Sequence, residues 1–366
     1  MRIGIDAREL CGHATGVGRY LSGLLREWSR SPRARAHEFV LYAPETPPLA
    51  LDTRQFAMRT VRGAGGTWWE QVQAPRAAAG DRLDAWFAPA YTAPLAIDVP
   101  VTLVVHDVSF FAHPEWFRVR EGVRRRWLTR HSVARAAAII TVSQFSKREL
   151  MEWLDVPADK ITVVRSGIES DRWTSDAGSP SGAAQASQPR VLFVGSLFTR
   201  RHVGDLIRAF APIARARADA CLDIVGDNRT YPVEDIRATI RAEQIEAQVA
   251  WHHYVSDDRL RALYAAARAF AFLSEYEGMG FTPLEALSAG VPPVLLDTPI
   301  AREICGDAAL YVTLADRPGT TRALQQALFD ADVRARVLAA APAVLARHDW
   351  SRAADETLSV IERCCR

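Results

Sequence analysis

The chain has 366 residues, 49% of them hydrophobic and 24% charged, which are the proportions of an ordinary globular protein. A net charge of +2 is too small to indicate nucleic-acid binding, and no apolar run approaches the roughly 20 residues of a membrane span. The five cysteines lack Cys-x-x-Cys or Cys/His ligand spacing, which argues against a disulfide framework or a structural zinc site. Because charged residues interrupt the first apolar stretch, we expect no signal peptide and a cytoplasmic protein.

Short apolar or β-branched runs alternate with helical patterns in the first half of the chain. Runs of this kind are typical of parallel strands covered on both faces. The predicted strands are Arg2–Asp6, Glu38–Ala43, Asp84–Ala88, Val101–Val105, Ala138–Val142 and Ile161–Arg165. Helical periodicity predicts a helix at Tyr20–Ser29 and another at Gln144–Leu154, which follows Ser143, a favoured N-cap residue.

The same alternation continues in the second half, after a segment rich in Ser, Ala, Gly and Pro that we interpret as a linker. The predicted strands there are Val191–Gly195, Cys221–Gly226, Ala269–Leu273, Pro293–Leu296 and Ala309–Val312, with a helix at Asp205–Ala218. We therefore predict two doubly wound α/β domains. Their bounds are residues 1–173 and 191–345, with the linker at 174–190 and a final helical segment at 346–366. Ligands of such sheets bind beyond the carboxyl ends of the strands, here in a cleft between the domains.

The most informative segment is EGMGFTPLEALSAG, Glu277–Gly290. The letters TPLE have the form of a capping box and predict a helix start, whose free amides and positive dipole end attract an anion. Gly278 and Gly280 let the backbone approach a ligand closely. Glu285 alone could be only a helix cap, but a second carboxylate on the loop, Glu277, favours a ligand site.

Glu277 and Glu285, with seven residues between them, resemble the paired-glutamate signature of the family 4 retaining glycosyltransferases, which have the GT-B fold. Five further segments resemble this family in the same order along the chain. They are Thr15–Leu25, His106–Phe117, Ala137–Leu150, Leu192–His202 and His348–Leu358. The second is similar to the mannosyltransferase-like branch, and the fifth to a C-terminal helix that crosses back to the N-terminal domain. The resemblance implies two Rossmann-like domains that face each other across a cleft.

The resemblance also implies a function. The chain would transfer a sugar, mannose being one candidate, from a UDP- or GDP-sugar to a glycan or lipid-linked acceptor in bacterial polysaccharide or O-antigen assembly. The transfer would retain the anomeric configuration, and the nucleotide-sugar donor would be a substrate, with no cofactor and no metal. Two alternatives stay open: a sugar-nucleotide epimerase of the same fold, and a nucleotide-binding protein without catalytic activity.

Roles for the donor-site residues follow from the same resemblance. Glu285 would accept hydrogen bonds from the ribose hydroxyls, and Glu277 would hold hydroxyls of the transferred sugar. Arg201, with Arg200 beside it, would neutralise the diphosphate as the leaving group gains charge. Family members usually carry Arg-Lys-Asn or Lys-Gly here, and two exposed arginines at a helix start are the alternative. Further donor contacts are expected at Gly195, Gly278, Met279, Gly280, Phe281 and Thr282.

In the first domain, the resemblance implies that Gly16 and Gly18 border the cleft, with Gly16 near the distal phosphate. A plain turn before a helix is the alternative. His106 would contact the transferred sugar, although a histidine at a strand end can also be a satisfied polar group. Asp107 is either its partner or a turn residue.

Three other segments have open interpretations. His252 and His253 are adjacent on an extended segment, point to opposite faces and do not suit one metal ion. The basic stretch Arg118–Arg135 either contacts anionic lipid at the inner membrane face through Val123, Trp127 and Leu128, or forms a solvated helix face. Trp68 and Trp69 either line the acceptor side or pack in a core.

Overall fold

The computed structural model describes residues 1–12, 15–173 and 188–365. The chain divides into two compact units. The first comprises Met1–Pro114, Val119–Gly167 and His348–Arg366, and the second comprises Glu115–Arg118 and Ile168–Arg347. Most of the predicted linker, at residues 174–187, lies outside the described residues.

The first unit contains a parallel sheet with the strand order β3-β2-β1-β4-β5-β6-β7. The strands are β1 (Arg2–Asp6), β2 (Glu38–Ala43), β3 (Phe56–Thr60), β4 (Ala85–Ala88), β5 (Val101–Val104), β6 (Ala138–Thr141) and β7 (Ile161–Val163). The helices are α1 (Gly16–Arg30), α2 (Ala74–Ala78), α3 (Ser109–Ala112), α4 (Val119–Arg135) and α5 (Gln144–Leu154). Because the central strands are buried on both faces, their sequences are continuously apolar, as predicted.

The second unit contains a parallel sheet with the order β10-β9-β8-β11-β12-β13. The strands are β8 (Arg190–Val194), β9 (Cys221–Val225), β10 (Val249–His252), β11 (Ala269–Phe272), β12 (Pro293–Leu296) and β13 (Leu310–Val312). The helices are α6 (Val203–Ala216), α7 (Ile236–Glu243), α8 (Asp257–Ala266), α9 (Phe281–Ser288), α10 (Pro299–Cys305), α11 (Arg317–Phe329), α12 (Ala331–Ala339) and α13 (Ala341–Leu345). Both sheets thus have the strand order of doubly wound nucleotide-binding folds.

The last helix, α14 (Trp350–Arg363), belongs to the first unit, where it packs on α1. The Trp28 indole donates a hydrogen bond to the Ala354 carbonyl, at 3.0 Å. The Trp350 ring lies so close to α1 that a Cβ atom at Gly23 would be 2.6 Å from the indole. A glycine on α1 therefore makes the close approach of these two helices possible.

Short 3-10 turns occur at Arg8–Leu10, Ala34–Ala36, Pro114–Trp116, Ala158–Lys160, Ser170–Arg172 and Thr199–Arg201, and a π-helical turn occurs at Trp69–Gln73. Within residues 1–12, 15–173 and 188–365, none of the helices combines the length and apolarity needed to cross a membrane.

The sequence predictions of secondary structure missed two strands, β3 and β10. Both lie at an edge of their sheet, and their side chains are mostly half-buried or exposed. A search for continuously apolar runs finds strands that are covered on both faces, and edge strands do not meet that criterion. The helix predicted from Gln144 to Leu154 is confirmed, with Ser143 as its N-cap, whereas the helix predicted from Tyr20 begins four residues earlier, at Gly16.

The contact between Gly23 and Trp350 leads to a test of stability. Gly23→Ala places a methyl group against the rigid indole and should lower the free energy of unfolding by about 1–3 kcal/mol. Gly80→Ala is the matched control, because a Cβ atom there would have no neighbour within 4 Å in the part of the chain that the structure describes. Urea unfolding of both variants checks this, and a Gly23→Ala protein as stable as the parent would contradict the packing described.

Candidate functional site

The second sheet has a topological switch point between β8 and β11. From β8 the chain proceeds to β9 on one side, whereas β11 lies on its other side. Loops that leave these two strands at their carboxyl ends diverge, which opens a crevice where ligands of doubly wound sheets bind. The first loop leads through Gly195 to Arg200 and Arg201, and the second is Leu273–Gly280.

An ion pair joins the two loops. Arg201 Nε donates to Glu277 Oε1 at 2.8 Å, and Arg201 Nη1 donates to the Ser196 carbonyl at 2.9 Å. Ser274 Oγ donates to the same Glu277 oxygen at 2.9 Å. The side chains of Arg201 and Glu277 are only 13% and 17% exposed. Because little water surrounds the pair, the attraction between the two charges is screened less than at the protein surface.

Two aromatic rings and a glycine define the space around Arg201. Its guanidinium lies 4.9 Å from the centroid of Phe272 and 5.2 Å from that of Phe198. Gly195 has a φ of +144°, and a Cβ atom there would be 2.8 Å from Arg201 Nη1. Glycine at this position therefore admits the guanidinium to the end of β8.

Glu277 is held as a carboxylate. Its burial opposes ionisation, but attraction by Arg201 and Arg200 and hydrogen bonds from Arg201 and Ser274 outweigh the burial and lower its pKa below the ordinary value. The site therefore combines one fixed negative charge with two positive ones.

Arg200 lies beside this cluster among aromatic rings. Its Nε donates to the Tyr276 carbonyl at 3.3 Å, and its guanidinium lies 4.3 Å from the centroid of Phe198. Trp116, from the short segment that belongs to the second unit, lies 5.9 Å from the Arg200 guanidinium and 6.3 Å from the Tyr276 ring. Both guanidiniums therefore lie near the Phe198 ring, whose electrons attract each of the two cations.

The glycine-bearing loop leads into α9, but not through the predicted capping box. The helix begins at Phe281 with Gly280 as its N-cap, at a φ of +85°, and no side chain caps it. Thr282 lies inside the first turn, so its hydroxyl is not at the capping position. The expectation of a Thr282–Glu285 capping box was therefore wrong, although the predicted order of strand, glycine loop and helix N-terminus is present.

Glu285 is fully buried on α9. Tyr264, on α8, donates from its hydroxyl to Glu285 Oε2 at 2.9 Å. The Tyr264 ring in turn contacts Trp173, with centroids 5.0 Å apart. The two glutamates of the sequence pattern therefore have different surroundings, since Glu277 pairs with arginine and Glu285 with a tyrosine hydroxyl.

In the first unit, His106 lies just beyond β5 between two tyrosines. The ring centroids of Tyr20 and Tyr91 are 5.0 and 5.6 Å from that of His106. His106 Nε2 is 2.8 Å from the Pro89 carbonyl, so this nitrogen carries the proton and donates it. Burial lowers the pKa of His106 more than this hydrogen bond and Asp107 raise it. A neutral ring near pH 7 leaves Nδ1 as an acceptor.

The structure shows the surroundings of three further residues of the first unit, Asp107, Gly18 and Gly16. Asp107 acts as a turn residue: Oδ1 accepts from the Ser109 amide at 2.9 Å, and Oδ2 accepts from the Tyr91 hydroxyl at 2.8 Å. Gly18 allows α1 to pack against the preceding turn, since a Cβ atom there would be 2.3 Å from the Glu9 carbonyl. Gly16, the first residue of α1, has no neighbour among the described residues within 4 Å of such a Cβ.

The two tryptophans of the pair differ. Trp69 is 1% exposed and donates to the Val61 carbonyl at 2.6 Å, as a core residue would, whereas Trp68 is 68% exposed. The adjacent histidines also differ, because His252 contacts Asp223 and His253 lies near Asp227. Among the described residues, no group of three or more His, Cys, Asp or Glu side chains is arranged to hold a metal ion.

Sequence reasoning missed Ser274, Tyr264 and Trp116. Ser274 lies three residues before Glu277 and directly follows a predicted strand. A hydroxyl at that position could have indicated a site residue. Tyr264 and Trp116 contact the site across long sequence separations; Trp116 lies in the segment His106–Phe117, but no local pattern indicated either contact.

Comparison with known proteins identifies two families along the chain. The model of Glycosyltransferase Family 4 matches residues 14–172, and that of Glycosyl transferases group 1 matches residues 177–340. The chain is 28% identical to O-antigen chain mannosyltransferase B of Escherichia coli, covering 75% of this chain and 73% of that protein. It is 25% identical to O-antigen chain mannosyltransferase RfbU of Salmonella typhimurium, covering 61% and 60%. The match with serotype-specific mannosyltransferase WbdA of Escherichia coli spans 57% of this chain but 27% of that longer protein.

Solved structures share the fold. HepE of Anabaena, in complex with UDP and glucose, superposes with a TM-score of 0.75 at 18% identity over 99% of both chains. WaaG, a glycosyltransferase involved in lipopolysaccharide biosynthesis, gives a TM-score of 0.74 at 16% identity, again over 99% of both chains. The predicted fold class is confirmed. The chain is a glycosyltransferase that belongs to the group 1, family 4 glycosyltransferases, and its two α/β units are those of the GT-B fold.

Proposed function

We propose that this glycosyltransferase moves a hexosyl group from a UDP- or GDP-sugar to a glycan or lipid-linked acceptor, with mannose as the first candidate for the sugar. The reaction would serve bacterial polysaccharide or O-antigen assembly. The transfer retains the anomeric configuration and needs no metal ion. The observation that carries the proposal is the cluster of Arg201, Arg200, Glu277 and Ser274 at the switch point of the second sheet.

The cluster suits a diphosphate on its cationic side. Arg201 uses Nε and Nη1 within the protein, and among the described residues its Nη2 has no acceptor, so Nη2 can donate to a phosphate oxygen. Within the described part of the chain, Arg200 donates a hydrogen bond only from Nε. Departure of the sugar adds negative charge to the diphosphate, and fixed guanidiniums stabilise that charge without reorganisation. Two arginines can therefore supply the positive charge that a metal ion supplies in other transferases.

The carboxylates suit the sugar and the ribose. Glu277 is held ionised and can accept hydrogen bonds from hydroxyls of the transferred sugar. Glu285 is assigned to the ribose hydroxyls. Because its carboxylate has no exposed surface, this assignment requires the loop before α9 to move when nucleotide binds. We assign His106 Nδ1 to a hydroxyl of the transferred sugar.

The choice of donor and pathway rests on the relatives. Two relatives are named O-antigen chain mannosyltransferases, which favours mannose and a growing polysaccharide. The solved structure of HepE holds UDP and glucose, which favours a nucleoside-diphosphate donor. Release of UDP and GDP should be measured over a panel of nucleotide-sugars, with and without EDTA, using oligosaccharide acceptors. NMR of the product determines its anomeric configuration. Absence of transfer from every donor, or an inverted product, would contradict the proposal.

Nucleotide binding should stabilise the folded chain. A nucleoside diphosphate at a hundredfold excess over its dissociation constant should raise the free energy of unfolding by about 2.7 kcal/mol. Thermal unfolding with UDP, GDP and AMP measures this, and AMP is the control because it lacks the diphosphate. EDTA should leave the shift unchanged. No shift with either diphosphate at millimolar concentration would refute the donor site.

Arg201 should matter more for turnover than for donor affinity. Arg201→Ala should reduce kcat by about 10²–10³, the scale of removing one preorganised donor to a developing negative charge. Arg201→Lys should restore part of the activity, since a lysine keeps the charge. Arg208→Ala is the control, because Arg208 is exposed and pairs only with Asp205 in the described structure. Near-normal kcat in Arg201→Ala at saturating donor would exclude this role.

The two glutamates should fail differently when each is changed to glutamine, which preserves volume. Glu277→Gln should leave binding of the bare nucleotide unchanged but lower the rate of transfer strongly, because Glu277 is assigned to the hydroxyls of the transferred sugar. Glu285→Gln should weaken binding of the bare nucleotide. Glu275→Gln is the control, since Glu275 lies on the same loop and bonds His202 at 2.5 Å. Calorimetric titration with UDP or GDP decides this, and equal losses of affinity in the first two variants would undo the assignment.

A further inference from the structure

Helix α4 in the first unit exposes an apolar ridge. Val119, Val123 and Trp127 recur at every fourth residue, which places them on one face of a helix. They are 76%, 53% and 53% exposed. The face that packs on the unit is a different one, made of Gly122, Leu128, Thr129, Ser132 and Val133. Leu128, which the sequence suggested for a lipid-facing surface, is therefore part of the core.

A second exposed aromatic side chain follows directly on a residue that α4 contacts. Arg124 of α4 donates a hydrogen bond to the Thr67 hydroxyl. The next residue, Trp68, is 68% exposed. The ridge of Val119, Val123 and Trp127 together with Trp68 is called the α4 ridge below. Soluble proteins expose single apolar side chains commonly, but a contiguous group marks an interaction site.

Arginines flank the α4 ridge. The helix carries six arginines and one acidic residue, Glu121, which is already paired with Arg125 at 2.6 Å. Arg120 and Arg124 are exposed on one side of the ridge and Arg130 on the other, as helical spacing requires. Exposed apolar side chains that include tryptophan, with cations at the rim, match an anionic bilayer surface, where the rings enter the headgroup region and the guanidiniums contact phosphates.

We infer that the α4 ridge docks this enzyme on a membrane surface that contains anionic lipid. The occupant is the bilayer, because the ridge pairs aliphatic side chains with cations on both sides. A carbohydrate would instead require polar groups among the aromatic rings. The inference does not depend on the proposed donor or acceptor, since it concerns a surface formed by α4 and Trp68 alone.

Vesicle co-sedimentation tests the apolar part of the inference. The full chain should pellet with vesicles of phosphatidylcholine and phosphatidylglycerol, and much less with phosphatidylcholine alone. Val123→Asp combined with Trp127→Asp should abolish pelleting. The matched control is Val233→Asp combined with Tyr254→Asp, since those side chains are 81% and 69% exposed on the second unit. Thermal unfolding of each variant confirms that it is folded.

Charge reversal tests the electrostatic part. Arg120→Glu combined with Arg124→Glu should weaken binding to the phosphatidylglycerol vesicles at least about tenfold. The control, Arg322→Glu combined with Arg336→Glu, makes the same change in net charge on exposed arginines of the second unit and should change binding little. Binding of the parent chain should also fall at high ionic strength.

Three results would overturn the inference. The parent chain could stay in the supernatant with both kinds of vesicle. The ridge variant could pellet as the parent does. Finally, the parent could be a dimer by size-exclusion chromatography that the ridge variant converts to a monomer, which would assign the α4 ridge to a second copy of the chain.

Discussion

The contact between Arg201 and Glu277 connects two loops that would otherwise diverge from neighbouring strands of the second sheet. It fixes a guanidinium at the end of β8 and an ionised carboxylate after β11. Other features depend on it: Gly195 has no side chain because the guanidinium occupies that space, and Ser274 donates to the carboxylate that the arginine keeps charged. This pair thus joins the two sides of the crevice, and its own two charges balance each other.

The charges around this pair explain which chemical groups the site can bind. A buried carboxylate without a partner would take up a proton, and a guanidinium whose donors were all satisfied by protein would have little to offer a ligand. Here the carboxylate is neutralised by one arginine while a second, Arg200, is held close among aromatic rings. The site therefore retains an excess of positive charge for an anionic group and an acceptor for hydroxyls.

The sequence predicted those elements that are determined by residues close together in the chain. The central strands are continuously apolar because helices cover both faces, and Ser143 marks the start of α5 through its own side chain. Edge strands such as β3 were missed because half of their surface faces solvent. The capping box failed because glycine at position 280, and not a hydroxyl, ends the loop. The partners Tyr264 and Trp116 could not be predicted, since only tertiary packing brings them to the site.

The discontinuous first unit has a consequence for synthesis of the chain. Its final segment follows the whole second unit in sequence, yet Trp350 fills the space beside Gly23, and the carbonyl of Ala354 accepts from Trp28. Domains generally fold as units while they emerge from the ribosome, with the N-terminal one first. In this enzyme the first unit lacks α14 until the whole second unit has been synthesised, so Trp28 and its neighbours on α1 stay uncovered while the second unit is made. Synthesis of α14, and not emergence of residues 1–167, is the event that completes the first unit.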